Sequence, residues 1–167
     1  MENWIIIILS SALISAIVSG LTSFIIERRK FSQEYWKIAI EKRLDVYEQI
    51  EQVLIFFQTT NLIKERPCHL AFLSVESFSD IQTKLAMLTW KRNWISTNVF
   101  NKIIELNRLF YECNSLETDQ DVNNFGVKHY NEIAIIRDNI LKLTTKDYLQ
   151  MPDVKRFFKS KIEEKHS

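Results

Sequence analysis

Apolar and polar residues divide this chain into two unlike parts. Trp4 to Ile26 reads WIIIILSSALISAIVSGLTSFII, 23 residues without a charged side chain. As a helix rising about 1.5 Å per residue this run is roughly 35 Å long, enough for a hydrocarbon core of about 30 Å. Beyond it the apolar residues recur at helical spacing. Ile40, Leu44, Tyr47, Val53, Leu54 and Phe57 form one stripe, with Glu41, Lys42, Asp45, Glu48 and Glu51 mainly opposite. No Gly or Pro interrupts Glu27 to Thr60, so the apolar run is expected to continue directly into a long helix. Thr59-Thr60-Asn61 and Arg66-Pro67 mark its first break.

The pattern then predicts three more substantial helices. Leu70–Ser79 alternates in part and is compatible with a strand, but no hairpin partner is evident, which favours a helix over roughly 68–90. Leu70, Leu73, Phe78, Ile81, Leu85 and Leu88 would face inward. A turn at Asn93–Thr97 supplies Ser96 or Thr97 as N-cap for a helix to about Cys113, with Val99, Ile103, Leu106, Phe110 and Cys113 as its stripe. The polar stretch Asn114–Asn124 reads as a loop. A further helix uses Phe125, Tyr130, Ile133, Ile136, Ile140 and Leu143, with Gly126 weakening its start. Met151-Pro152 opens a short final helix. The expected fold class is all-α, one N-terminal transmembrane helix continuing into a cytosolic antiparallel helical bundle. In domain terms, residues 1–30 are a transmembrane anchor with a basic collar and residues 31–167 a cytosolic helical domain.

Charge sets the orientation. Glu2 is the one charged side chain before the run ends, whereas Glu27-Arg28-Arg29-Lys30 closes it with three bases. Basic residues stay on the cytosolic side, so Arg28, Arg29 and Lys30 form a topology collar, the N-terminus lies outside and the C-terminal domain is cytosolic. Trp4 suits the opposite headgroup layer. A cleaved signal peptide is the rival reading because Val18-Ser19-Gly20 is small, but it lacks a basic n-region and the apolar run continues past Gly20.

Within the run Ser11, Ser15, Ser19 and Ser23 recur every four residues beside Ala12, Ala16 and Gly20. Small-xxx-small spacing lets helix backbones approach closely, and hydroxyls can bond across the contact. This stripe is the candidate self-association face, making a homo-oligomer the expected state and a hydroxyl-lined pore a narrower option. The alternative is that each hydroxyl bonds back to its own helix. A second membrane-facing candidate is the C-terminal segment, where Val154, Phe157, Phe158 and Ile162 share a face among Lys155, Arg156, Lys159 and Lys161. Such a helix can lie on an anionic leaflet or dock on the bundle. The aromatics Phe31, Tyr35 and Trp36 can rest against headgroups or a neighbouring helix, and Trp90, Trp94 and Phe100 are a partner surface or ordinary core.

Composition removes several function classes. All 22 Lys and Arg and all but one of the 21 acids lie beyond Ile26, leaving that part near neutral and arguing against nucleic acid as a partner. Two Gly and two Pro leave little for phosphate-binding loops or a β-rich fold. Cys68 and Cys113 are expected to be inert thiols in a reducing compartment. His69, His129 and His166 are far apart; His129 and Glu132 share a helix face, but no second such pair exists for a metal centre. Asp119 and Asp121 sit in a polar stretch better suited to solvation and capping. No nucleophile–base motif is present, so no catalytic residue, metal or cofactor is expected.

The basic stop Arg28-Arg29, the Arg43-Leu44…Tyr47 pattern and the Trp94-Ile95-Ser96…Val99 helix start together resemble small bacterial single-span membrane proteins with a helical cytosolic domain. Some of that group are phage-defence membrane effectors. The resemblance implies an inner-membrane, non-enzymatic effector that self-associates through its span and perturbs the membrane when its cytosolic domain is triggered. Membrane lipid, further copies of the chain, and a cytosolic protein or small signalling ligand are the implied partners. The alternative is a passive anchor or adaptor that recruits a cytosolic partner.

Overall fold

A computed structural model describes residues 2–112 and 116–151, with side chains from Ile14 onward. The architecture is mostly helical: α1 (Glu2–Gln58), α2 (Val75–Trp90), α3 (Thr97–Tyr111), α4 (Asp119–Lys128) and α5 (Tyr130–Leu149). Between α1 and α2 lies a two-stranded antiparallel hairpin, β1 (Thr60–Ile63) and β2 (Arg66–His69), followed by a 3-10 turn at Leu70–Phe72. A second 3-10 turn, Arg92–Trp94, joins α2 to α3. The chain divides into two units, Met1–Ala39 and Ile40–Ser167.

The first unit consists of the N-terminal part of α1. Its helix is unbroken by Gly20. Ile14, Ile17, Val18, Leu21, Phe24, Ile25 and Ile26 are 47–61% exposed. Among the described residues no helix is long and apolar enough to cross a membrane. Of the apolar run Trp4–Ile26, residues 4–13 fall outside the described side chains.

The second unit has one apolar core. Tyr47, Val53, Leu54 and Phe57 of α1 are buried as their spacing predicts, while Ile40 and Leu44 pack against the core from its edge. Phe78, Ile81, Leu85 and Leu88 of α2 join Val99, Ile103, Leu106 and Phe110 of α3 and Ile133, Ile136 and Ile140 of α5. Burying one such side chain is worth about 1.5–3 kcal/mol, so these periodic stripes hold the helices together. Phe57, Phe72, Phe78 and Phe110 lie at its centre, the last two stacked at 4.9 Å. Local chemistry sets several boundaries. Ser74 accepts from Ser77 N to start α2, Ser96 accepts from Val99 N to start α3, and Thr118 accepts from Asp121 N to start α4. At the end of α1, Arg137 of α5 donates to the Phe57 carbonyl at 2.7 Å, satisfying a group that the helix cannot pair internally.

Four expectations are corrected. The segment before α2 is not helical from residue 68. Cys68 and His69 instead belong to β2, whose partner is Thr60–Ile63, and α2 begins at Val75. The hairpin turns through Lys64 and Glu65 at φ 50° and 66°, left-handed positions usually taken by Asn-Gly, so the turn carried no sequence signal. The polar loop is shorter than Asn114–Asn124, because α4 starts at Asp119. The helix expected to reach Leu143 is two helices that separate at His129, and the second runs on to Leu149. Finally, Gly126 lies near the end of α4 and serves packing. A Cβ there would come within 2.4 Å of Phe72 Cβ and 2.7 Å of Cys68 Sγ.

Candidate functional site

The described part of the small-residue stripe is exposed. Ser15, Ala16, Ser19, Gly20 and Ser23 are all exposed on α1, and a Cβ built on Gly20 would meet nothing within 4 Å. The side chains of Ser11 and Ala12 lie outside those described. One hydroxyl beside the stripe bonds back to its own helix, from Thr22 to the Val18 carbonyl at 2.7 Å. Arg28, Arg29 and Lys30 follow as an exposed basic collar. Phe31 and Tyr35 are exposed, Tyr35 meeting Trp36 edge-on at 5.2 Å. The candidate surface helix, with Lys155, Arg156, Phe157, Phe158, Lys159 and Ile162, lies outside the described residues, as do Cys113 and His166.

In the second unit, the structure brings Arg43, Tyr47 and Trp94 together. Arg43 is only 2% exposed, yet it lies on the inward face of α1. Its Nε donates to the Trp94 carbonyl at 3.2 Å, and its guanidinium lies 5.9 Å from the centre of the Tyr47 ring. The Tyr47 hydroxyl in turn donates to Asp147 of α5. Burial raises the Tyr47 pKa, and the hydrogen bond and negative charge of Asp147 raise it further, so the phenol remains protonated and donating. This Arg43–Tyr47–Asp147 junction ties α1 to α5 and to the turn before α3. Tyr47 was legible only as a core position. The signal available for the junction was a charged residue, Arg43, set four before it on the same buried face.

The other candidate groups take ordinary structural places. Cys68 is a buried free thiol pushed up to about 11 by burial, which keeps it protonated at neutral pH. His69 is fully buried, stacks on Tyr130 at 4.4 Å and places Nε2 3.2 Å from the Tyr130 carbonyl. Burial lowers its pKa below 6.5, although the backbone carbonyls of Tyr130 and Phe57 oppose the shift. His129 pairs with Glu132 at 2.8 Å, as their spacing allows. Asp119 accepts from Val75 N at 2.8 Å, and Asp121 accepts from the Thr118 hydroxyl at 2.6 Å, so both serve helix starts. No group of three His, Cys, Asp or Glu side chains able to hold a metal occurs among the described residues. Trp94 and Phe100 pack against the core, where Lys42 and Arg92 lie over their rings, whereas Trp90 is 88% exposed.

One open groove escaped the sequence reading. It measures about 740 Å³ and runs between the hairpin and the α4–α5 corner. Lys64, Arg66 and Lys128 line it together with Asn124, Asn131 and Tyr130. Isolated basic residues 62 positions apart carry no spacing signal; only the fold brings Arg66 and Lys128 to one groove. No protein-family model, curated protein or solved structure matches the chain.

Proposed function

We propose that the chain is a membrane effector: Trp4–Ile26 spans the bilayer, copies assemble through the serine stripe, and the domain beyond the collar controls that assembly. The reading assigns it no catalysed reaction. The observation that carries it is the exposed apolar surface of α1. Seven large apolar side chains between Ile14 and Ile26 are about half exposed or more on one uninterrupted helix. Water-soluble surfaces rarely leave so large a contiguous apolar area uncovered. Lipid can cover the bulky side chains, while the open space at Gly20 suits the close approach of a second helix. Arg28, Arg29 and Lys30 place the domain on the cytosolic side under this reading. A second reading, an adaptor that recruits a cytosolic protein, draws on Trp90 and Met87, which are 88% and 60% exposed on one face of α2.

Gly20→Ile separates the two readings. The branched side chain would hold backbones apart without reducing affinity for lipid, so lost packing would be the cause of any effect. Crosslinking in membranes should fall severalfold, and depolarisation on expression should fall with it. Single Ser→Ala changes should act less, since each interhelical hydroxyl bond contributes about 0.6–2 kcal/mol. Ile14→Ala is the control. If Gly20→Ile leaves both readouts unchanged, the stripe is passive and the anchor or adaptor reading takes its place.

A further inference from the structure

The groove between the β1–β2 hairpin and the α4–α5 corner is lined by three basic residues. Lys64 of the hairpin turn, Arg66 at the start of β2 and Lys128 in the last turn of α4 all line it. No carboxylate lines the groove. None of the three cations has an ion-pair partner among the described residues. Glu132, in the first turn of α5, pairs with His129, and Glu65 of the hairpin turn is not among the residues that line the groove. Three like charges around one depression repel, and a bound anion relieves that repulsion.

The backbone also favours a purpose for this arrangement. Lys64 and Glu65 both adopt left-handed φ values, a conformation that a Cβ disfavours. The turn therefore holds a lysine where glycine or asparagine would be easier, beside a groove that the lysine lines. Ile63, Pro67, Val127 and Tyr130 add apolar lining, and the amides of Asn124 and Asn131 can meet polar edges. Its volume lies within the roughly 300–1,000 Å³ usual for small-molecule sites.

We propose that this groove binds a phosphate ester with an attached organic group, the phosphate held by Lys64, Arg66 and Lys128. Arginine's planar fork matches phosphate oxygens, and the lysines add mobile charge. A nucleotide in solution and the headgroup of an anionic phospholipid both present this chemistry. The inference goes beyond the effector reading and does not depend on assembly through α1, because every lining residue belongs to the second unit.

The test is hydrogen exchange of the purified full chain in a nonionic detergent, read at the amides of the hairpin turn. The probes are ATP, inorganic pyrophosphate and adenosine, and, separately, short-chain phosphatidylglycerol against phosphatidylcholine. ATP or pyrophosphate should slow exchange in the turn, adenosine should not, and raised salt should weaken the effect. Lys64→Gln/Arg66→Gln/Lys128→Gln should weaken protection at least about tenfold, because charge-assisted bonds to the phosphate are lost. Lys142→Gln, at an exposed lysine outside the groove, should not. Protection by phosphatidylglycerol but not by ATP or pyrophosphate identifies the ester as a lipid headgroup. If no phosphate probe protects the turn, if adenosine equals ATP, or if the triple variant binds unchanged, the proposal is overturned. Circular dichroism checks that the triple variant is folded; if it is not, the three single Gln variants replace it under the same criteria.

Discussion

Gly126 shows how one missing side chain can set a packing distance. Helix α4 passes so close to β2 and the following turn that an added methyl would stand 2.4 Å from Phe72 Cβ and 2.8 Å from Phe72 Cγ. Phe72 cannot yield easily, because it is fully buried among Phe57, Phe78, Phe110 and Phe125. Alanine would gain about 1 kcal/mol of helix propensity, but overpacking at a rigid site costs about 1–3 kcal/mol. The clash should win. Gly126→Ala is expected to lower the urea midpoint of the full chain, and an unchanged or higher midpoint would show that α4 shifts freely. His69, on the neighbouring strand, couples the same region to pH. Its folded pKa is lowered from 6.5, chiefly by burial and secondarily by the Arg137 charge. The neutral ring's contribution to stability is therefore complete above pH 6.5 and is lost as pH falls from 6.5 through the folded value. Unfolding measured across that window should show wild-type stability falling by at most about 1.4 kcal/mol per pH unit from this group. His69→Gln should flatten that part of the profile; an identical slope would exclude His69 as its source.

At the scale of elements, amphipathic spacing and capping residues predicted α3 well. Ser96 starts it, and Val99, Ile103, Leu106 and Phe110 are buried where a 3.6-residue period puts them. The hairpin was not legible for an equally specific reason. Its strands are four residues long, one contains Pro67, and its turn residues are Lys and Glu. Pairing of Thr60 with His69 and Ile63 with Arg66 is favoured in context, with Cys68 and His69 buried beneath α4 and α5. The α4–α5 break has the same character. No proline or glycine stands at His129, yet α4 packs on β2 and the Leu70–Phe72 turn while α5 packs on α3. Two different docking surfaces pull one periodic stretch into two helices. The groove at that corner exists only because of this break and the hairpin opposite it.

For the whole molecule, the proposed orientation makes a direct prediction. With Glu2 before the apolar run and Arg28-Arg29-Lys30 after it, a reporter active only in the cytosol and fused after Ser167 should be active. A stably expressed but inactive fusion would reverse the orientation. The helical character of the chain, the inward faces of α1, α2, α3 and α5, and the pairing of Asp121 with Thr118 at the start of α4 were determined locally, by periodicity and by side chains that reach only a few residues along the chain, whereas Asp119 caps the start of α2 across 44 positions. The serine stripe on α1 is likewise a property of spacing alone. Tertiary structure decided what depends on meetings between distant segments. It buried Arg43 against the Trp94 carbonyl, joined Tyr47 to Asp147 across 100 positions, and gathered Lys64, Arg66 and Lys128 around one groove. Charge, hydropathy and helical period act over a few residues, so they are written in order along the chain. A convergence of side chains is set by how the core packs, and that packing selects among meetings that no local pattern distinguishes.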